Sequence, residues 1–301
     1  MSTAGTMPLS APLAQLNSVG AVRARRPRRA LGAVLAEAQM ADVAAFDFLG
    51  GTAAVFTTSS PQKDTPNEDV AAVWPTGPNS GILAVADGLG GHAGGERASR
   101  LAIDVIGRSL QASLVPSDAP PAGDQRRGAI LDGIEAANRA VRELGTGAAT
   151  TLALVEIQDR TIRPYHVGDS VILLTGQRGK LKLQTISHSP VGYAVEAGLM
   201  NEEDAIHHEA RHVISNVIGS DEMRIEIGPP TEMAARDTLV LASDGLLDNL
   251  LPGEIVQFVR SGPLDRAVGA MVAEAQRRMA GQNGAGPSKP DDLTVIAYRP
   301  S

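Results

Sequence analysis

Residues 83–95 read LAVADGLGGHAGG, and this stretch decides how the rest of the chain is interpreted. It opens with a short apolar run that is typical of a buried strand, and then reaches Asp87. Five glycines follow, and glycine lets a backbone approach a ligand closely. An aspartate presented in this way can hold a cation or an activated water. It can equally be an incidental acid in a strand-to-helix turn, so the other acidic stretches must decide.

The composition predicts a globular protein with one large domain or two small ones. The chain has 301 residues, of which 43% are hydrophobic, and no apolar run is long enough to span a bilayer. Its net charge of −7 argues against a nucleic-acid-binding protein. The lack of cysteine excludes disulfides, thiolate metal sites and cysteine nucleophiles. Cysteine usage leaves the compartment open, and a cytoplasmic location is the simplest expectation.

Residues 1–45 differ from the rest of the chain. The segment RARRPRR at 23–29 is basic, and the sequence before it is rich in Ala, Ser and Pro. It lacks the apolar core of a secretory signal. We predict a disordered basic tail over 1–45, with 30–45 as a candidate helix, and a folded domain over 46–301.

From residue 53 onward, blocks of strands and helices alternate. We predict strands at 53–58, 70–74, 82–86, 151–157, 161–167, 171–175, 181–186, 238–242 and 293–298, and helices at 97–110, 252–260 and 265–280. A further helix, which Asp124 can cap, has an apolar face that runs from Ile130 to Leu144. This order is typical of an α+β fold, with two facing antiparallel β-sheets sandwiched between α-helices. Residues 187–228 are less regular and are predicted to leave the sheet.

Acidic residues recur at the ends of the predicted strands. They are Glu68, Asp69, Asp87, Asp169, Asp244, Asp291 and Asp292. Carboxylates that gather at one rim of a sheet repel one another unless cations separate them. An all-oxygen ligand set favours Mg²⁺ or Mn²⁺ over zinc, and two such ions can activate a water against a phosphorus centre. The competing interpretation is that these acids are ordinary turn residues and helix caps.

Six motifs then occur in a familiar order. They are Asn67-Glu68-Asp69, Ala86-Asp87-Gly88, GAATT at 147–151, VGDS at 167–170, SDGL at 243–246 and DDLT at 291–294. Over residues 50–299 this series resembles the metal-dependent protein phosphatase 2C family, in its bacterial form. The resemblance implies a β-sandwich between helices, a centre of two Mn²⁺ or Mg²⁺ ions with a third possible, and hydrolysis of phosphoserine and phosphothreonine in proteins. Phosphorylated proteins, including a cognate kinase, are the partners that it implies.

The resemblance also implies which residues hold the ions. Asp87 would bridge both ions and act in catalysis, and the Gly88 carbonyl would bind one of them. Glu68, Asp244 and Asp291 would complete the set, with Asp292 as the fallback for Asp291. Asp169 resembles the ligand of a third, weaker ion, which Asp248 could assist. Residues 187–228 resemble the flap that lies beside the active site of this family.

Two positions depart from the family pattern. Many members place Arg four residues before the glutamate matched by Glu68, where it binds the substrate phosphate, and this chain has Asp64 there. Lys63 could substitute as a point charge, without the bidentate fork of Arg. Some members carry His directly after the Asp-Gly pair, where this chain has Leu89. The nearby His92 could protonate the leaving alkoxide, although hydrogen bonding within the glycine turn is the favoured role.

Other functions stay open at this point. The protein could be a pseudophosphatase that binds partners through a retained fold, and Asp64 slightly favours this alternative. Hydrolysis of small phosphate esters would require a closed pocket. The retained acids favour an active phosphatase more strongly, because clustered carboxylates without metal are a liability. Three histidines of the flap are expected to be solvated or capping residues: His207, His208 and His212.

Overall fold

Fifteen strands form the sheets of the part of the chain that the computed structural model describes, namely residues 32–90, 94–113, 123–282 and 287–301. In chain order they are β1 (Ala33–Ala36), β2 (Ala44–Phe48), β3 (Gly51–Thr58), β4 (Val70–Gly77), β5 (Ser80–Ala86), β6 (Gly88–Leu89), β7 (Ala149–Thr150), β8 (Leu152–Gln158), β9 (Thr161–Val167), β10 (Val171–Thr175), β11 (Leu181–Gln184), β12 (Glu226–Ile227), β13 (Thr231–Glu232), β14 (Thr238–Ala242) and β15 (Leu293–Pro300).

The strands build two large antiparallel sheets. One has the order β1-β4-β5-β8-β9-β12, with β13 also paired to β9, and the other has the order β11-β10-β14-β15-β3-β2. The short strands β6 and β7 pair separately. The helices are α1 (Gly95–Ser113), α2 (Gly123–Glu143), α3 (Pro190–Glu196), α4 (Glu202–Ile206), α5 (Asp244–Leu247), α6 (Pro252–Val259) and α7 (Leu264–Met279).

Strands that are apolar on both faces explain the layering. In β5, Leu83 and Val85 pack into a core between the two sheets, whereas Ile82 and Ala84 pack against α1 and α2 on the other face. Side chains alternate between the two faces of a strand, so an uninterrupted apolar run fits a strand covered on both sides. Equivalent packing joins the second sheet to α6 and α7. The molecule is therefore an α-β-β-α sandwich, and the predicted α+β fold is confirmed.

The pairing register brings the acidic strand ends to one rim. Val70 at the start of β4 lies opposite Ala86 at the end of β5. In the second sheet, Ala242 at the end of β14 lies opposite both Val171 and Val295. In an antiparallel pair, the end of one strand meets the beginning of the next. The loops that precede β4 and β15, and those that follow β5, β9 and β14, consequently converge.

The N-terminal boundary requires a correction. Residues 30–45 were predicted to belong to the disordered tail, with a candidate helix. Instead, β1 pairs with β4 from Ala33 to Ala36, and β2 begins at Ala44 and pairs with β3. The first sheet offers an edge at β4, and this tertiary partner overrides the local helical tendency of an Ala-rich segment. The folded domain therefore includes residues from 33 onward, and residues 1–31 lie outside the described part of the chain.

The predicted excursion at 187–228 leaves the sheet as expected. It contains α3, α4 and a 3₁₀ turn at Glu209–His212, and it rejoins the first sheet at β12. Ser189 caps α3 by accepting a hydrogen bond from Gly192 N, and Asn201 caps α4 in the same way through Asp204 N. We call residues 187–228 the flap. None of the described helices combines the length and apolar composition needed to cross a membrane.

The packing of β1 generates a prediction. Leu35 is partly buried against the core between the sheets, whereas the side chain of Val34 next to it is 38% exposed. We expect Leu35→Asp to lower the free energy of unfolding by about 1–2 kcal/mol, because a charge replaces a partly buried apolar group. Val34→Asp is the matched control and should cost much less. Urea unfolding of both variants measures the difference, and equal losses would show that β1 does not pack on the core.

Candidate metal centre

The backbone of Asp87 is fixed by the GAATT segment. Its carbonyl accepts hydrogen bonds from Thr151 N at 2.9 Å and from Thr150 Oγ1 at 2.8 Å, and its N–H donates to Thr151 Oγ1 at 3.1 Å. Gly88 donates to the Glu68 carbonyl at 3.2 Å, and a Cβ at Gly88 would overlap the Gly95 carbonyl. The turn after β5 therefore needs glycine, and it holds the Asp87 carboxylate at the rim.

The loop before β4 brings Glu68 and Asp69 to the same rim. Buried Asn67 holds this loop by donating to Thr57 Oγ1 at 2.8 Å and to the Ala38 carbonyl at 3.0 Å. The Asp69 carboxylate is fully buried and accepts a hydrogen bond from Ser243 Oγ at 2.7 Å. This hydroxyl belongs to the SDGL motif, so two motifs far apart in sequence meet at the rim.

Asp244, Asp248 and Asp291 form a tight acidic group. One carboxylate oxygen from each lies within 4.8 Å of the others. Asp244 begins α5 directly after β14, and Asp248 follows its last turn. A Cβ at Gly245 would overlap the Asp292 carbonyl, so this glycine allows the loop before β15 to approach α5. We call these three residues the outer acidic group.

Asp291 and Asp292 have different surroundings. Both oxygens of buried Asp292 are engaged, since Oδ1 accepts from Ser60 N and Oδ2 from Glu68 N, each at 2.7 Å. Asp292 thus positions the backbone of Glu68. Asp291 is more exposed and belongs to the outer acidic group. Asp291 also has partners, since Oδ1 accepts a hydrogen bond from Asp292 N at 2.9 Å and Oδ2 lies 3.0 Å from Lys289 Nζ. Its greater exposure makes it the more accessible of the two acids, and its role as a metal ligand stays a prediction from the sequence.

Close packing of the acids raises their pKa values. Burial and the charges of Asp69 and Asp244 raise the pKa of Asp87 well above its usual range. Burial, followed by the charges of Asp248 and Asp291, likewise raises the pKa of Asp244 well above its usual range. Burial raises the pKa of Asp69 to about 7, although the hydrogen bond from Ser243 opposes this shift. The shifts show that several negative charges are confined to a small volume without sufficient counter-charge.

Two buried carboxylate oxygens provide an independent test of whether a cation fits. Asp69 Oδ1 and Asp169 Oδ1 have no hydrogen-bond partner within the described residues. Burial and the charge of Asp248 raise the pKa of Asp169 to about 7. A buried carboxylate oxygen without a donor is costly, and coordination to a cation removes this cost. Since every candidate donor is oxygen, the residues present fit Mg²⁺ or Mn²⁺.

Two lysines reach into this acidic rim. Lys63 Nζ lies 2.8 Å from Glu68 Oε2 and 2.7 Å from Asp292 Oδ2. Burial lowers the pKa of Lys63, but its hydrogen bonds to the two carboxylates outweigh burial and raise the pKa above the ordinary value. Lys289 contacts all three members of the outer acidic group. The carboxylates of the rim still outnumber these two cations.

The structure brings together most residues that the sequence singled out. Those that share the rim are Lys63, Glu68, Asp87, Gly88, Asp169, Asp244 and Asp291. Asp64 is exposed, so its carboxylate does not replace the missing Arg. His92 lies outside the described residues. In the flap, His208 caps the 3₁₀ turn through Ala210 N, and His207 and His212 are exposed, as predicted.

Sequence reasoning missed three partners at the rim. Asp69 was noted in its motif without a role, and neither Lys289 nor Arg211 was considered. Arg211 lies in the flap and forms an ion pair with Asp248. Lys289 lies two residues before the last acidic motif, and this proximity was the only signal in the sequence. A loop has no periodicity that would indicate where the side chain of this lysine points.

A second polar group lies at the base of the flap. His166, His188 and Glu226 place ligand-type atoms within 4.8 Å of one another. His188 Nδ1 accepts a hydrogen bond from Gly168 N at 3.0 Å, so in the neutral ring Nε2 carries the proton and donates to Glu226 at 2.8 Å. His188 therefore has no lone pair free for a metal. The group fastens both ends of the flap to β9.

The fold and the rim together define a class of protein: an α-β-β-α sandwich with an all-oxygen cation site at one edge of its sheets. Comparison with known proteins agrees with this class. The sequence profile of the family described as Protein phosphatase 2C matches residues 57–278. Protein phosphatase PhpP of Streptococcus pneumoniae is 30% identical over 207 residues, which cover 66% of this chain and 81% of that protein.

Solved structures give the same result. The serine/threonine phosphatase of S. agalactiae superimposes with a TM-score of 0.70 at 27% identity, covering 83% of this chain and 99% of that one. The catalytic domain of the phosphatase PstP, solved with two manganese ions, gives a TM-score of 0.63 at 25% identity, covering 82% and 96%. The chain belongs to the protein phosphatase 2C family.

The crowding of carboxylates leads to a prediction for the metal-free protein. We expect Asp87→Asn to stabilise it by about 1–2 kcal/mol near pH 8 and to abolish its stabilisation by Mn²⁺. The pKa of Asp87 is raised on folding, so the folded state keeps a proton that the unfolded chain loses. This contribution makes metal-free wild type less stable as pH rises above about 4, and the variant gains most at high pH.

Thermal unfolding with and without Mn²⁺, at about pH 5 and about pH 8, measures both effects. Asp47→Asn is the matched control, since Asp47 is an exposed carboxylate on β2. If Mn²⁺ stabilised the Asp87 variant as much as wild type, Asp87 would not be part of the metal centre.

Proposed function

We propose that this protein is a metal-dependent serine/threonine phosphatase that hydrolyses phosphoserine and phosphothreonine in proteins, with two Mn²⁺ or Mg²⁺ ions at the rim. The residues that would hold the ions are Glu68, Asp87, Gly88 through its carbonyl, Asp169, Asp244 and Asp291. When bound, the ions would lower the pKa of a water and offset negative charge that develops on the phosphoryl group. Family membership and the named relatives support the reaction class.

The observation that carries this proposal is the excess of carboxylates at the rim. They raise one another's pKa values, and Asp169 Oδ1 and Asp69 Oδ1 lack a donor among the described residues. An acidic rim without counter-charge lowers the stability of the fold, and bound cations would offset the repulsion between its carboxylates. Oxygen ligands and clustered negative charge suit divalent ions that activate water for attack on phosphorus.

Lys63 supports phosphate binding at the edge of the rim. Its ammonium group lies between Glu68 and Asp292, and the hydrogen bonds that raise its pKa keep it charged at neutral pH. A phosphate oxygen can bind this point charge when cations occupy the neighbouring carboxylates. A single ammonium group lacks the bidentate geometry of a guanidinium group, so it should hold the phosphate less tightly than Arg would.

The pseudophosphatase alternative loses its main argument. Asp64 suggested that the phosphate-binding cation had been lost, but Asp64 is exposed and Lys63 reaches the rim beside it. Leu89 lies in β6 opposite Ala149 and has no ionisable group, so it cannot supply a proton to the leaving alkoxide. His92 as the proton donor, a cognate kinase as substrate and a cytoplasmic location stay predictions from the sequence.

The proposal is tested by phosphate release from a phosphothreonine peptide with and without Mn²⁺. Wild type and Asp47→Asn should release phosphate only with the metal, and Asp87→Asn should lose at least about a hundredfold in kcat/KM. Circular dichroism would confirm that the inactive variant is folded. Metal-independent release, or full activity of Asp87→Asn, would remove the metal centre from the reaction. No release by wild type, with Mn²⁺ binding intact, would favour the pseudophosphatase.

Lys63 gives a second test with the same assay. We expect Lys63→Ala to raise KM about tenfold or more with a smaller change in kcat, because it removes a charge that binds phosphate in both the ground and transition states. Lys63→Arg should keep or lower KM, since a guanidinium group can bind phosphate with two hydrogen bonds. Asp64→Ala, at the exposed neighbouring position, is the control. An unchanged KM in Lys63→Ala would remove Lys63 from the phosphate site.

A further inference from the structure

Lys289 is embedded in the outer acidic group. Its ammonium nitrogen lies 2.6 Å from Asp248 Oδ2, 3.0 Å from Asp291 Oδ2 and 3.4 Å from Asp244 Oδ2. The acidic group that could otherwise hold a metal ion thus surrounds a cation supplied by the chain itself. All three contacts use Oδ2, so Lys289 does not contact Oδ1 of Asp244, which remains a possible metal ligand.

The buried side chain of Asn249 fixes the position of the Lys289 backbone. Asn249 is fully buried, and its amide forms two hydrogen bonds with the backbone of Lys289: Nδ2 donates to the carbonyl at 2.8 Å, and Oδ1 accepts from the N–H at 3.0 Å. Asn249 Nδ2 also donates to the Gly245 carbonyl at 2.8 Å. This double clamp joins the Lys289 loop to the acidic helix α5, so the position of the lysine is built into the fold.

Asp248 has both of its oxygens paired with protein cations. Oδ2 contacts Lys289, and Oδ1 contacts Arg211 of the flap. A metal ion at Asp248 would have to displace at least one of these partners and would face the positive charge of the other at short range. Asp69 and Asp169, in contrast, each keep one buried carboxylate oxygen without a hydrogen-bond partner among the described residues.

We propose that Lys289 is a tethered cation that takes the place of an additional metal ion at Asp248, and so limits metal binding to the two-ion centre proposed above. The inference rests on the proposed function, because it concerns the same metal centre. Lys289 is a positioning residue in this role: it holds Asp248 and one oxygen each of Asp244 and Asp291, and it does not itself contact the phosphate. Asp248, which the sequence offered as an aid to a third ion, is then a partner of Lys289 and no metal ligand in the wild-type protein.

The test is calorimetric titration of the full chain with Mn²⁺. Lys289→Met keeps an apolar stem and removes the charge, and we expect it to bind one Mn²⁺ more per chain than wild type. The additional ion should disappear in the double variant Lys289→Met/Asp248→Asn. Lys289→Arg retains the charge and should keep the wild-type stoichiometry. The same number of ions in wild type and Lys289→Met would overturn the proposal.

Two further variants keep the test decisive. Asp248→Asn in an otherwise wild-type chain should leave Mn²⁺ stoichiometry unchanged, and loss of an ion there would overturn the proposal even if Lys289→Met failed to fold. Lys182→Met is the matched control, because Lys182 pairs with Asp237 at 2.5 Å away from the rim. Ion counting does not depend on turnover. An inactive wild type with the expected stoichiometries would therefore contradict the phosphatase alone, and an active wild type with an unchanged Lys289→Met would contradict only the tethered cation.

Discussion

Repulsion between carboxylates is the constraint on which the rim of this protein depends. Asp87 and Asp244 lie so close to their acidic neighbours that the pKa of each is raised well above its usual range. Local sequence preferences cannot hold such a group together, because its carboxylates repel one another. The surrounding fold must hold the charges together. The two sheets do this, since extensive apolar cores pack on both of their faces.

The antiparallel order of the strands converts scattered acids into one site. The loops before β4 and β15 and those after β5, β9 and β14 all open at the same edge, and each carries an acid. Short polar contacts then fix each loop. Asp292 holds the backbone of Glu68, and Ser243 holds Asp69. Asp292 has a structural role because both of its oxygens accept backbone N–H groups, whereas Asp69 and Asp169 each keep one oxygen without a partner among the described residues.

The sequence predicted strands that are buried on both faces with good accuracy. The bounds of β10 and β14 agree with the prediction, because each is an apolar or β-branched run that is followed by Gly or Ser. The bounds of β9 also agree, although this strand includes Arg163 and His166. The strand β1 was missed, since Ala33–Ala36 has no alternation and forms a strand only because β4 offers it an edge. The strands β6 and β7 have two residues each, which is too short for any pattern. Acids at strand ends could be predicted because strand ends are visible in sequence.

The cations at the rim could be predicted only where a motif lay beside them. Lys63 was identified because it lies next to Asp64, where many members of the family have an arginine that binds the substrate phosphate. Lys289 was missed because its position depends on Asn249, forty residues earlier, whose amide clamps the lysine backbone. The two lysines also differ in their surroundings. Lys63 bridges a candidate metal ligand and a structural acid at the edge, whereas Lys289 is enclosed by three acids. A protein that folds before it meets its metal must tolerate its own negative charge, and a lysine held in this way partly neutralises that charge. The same charge then opposes any ion that approaches Asp248, so one contact both stabilises the metal-free fold and limits where metal can bind.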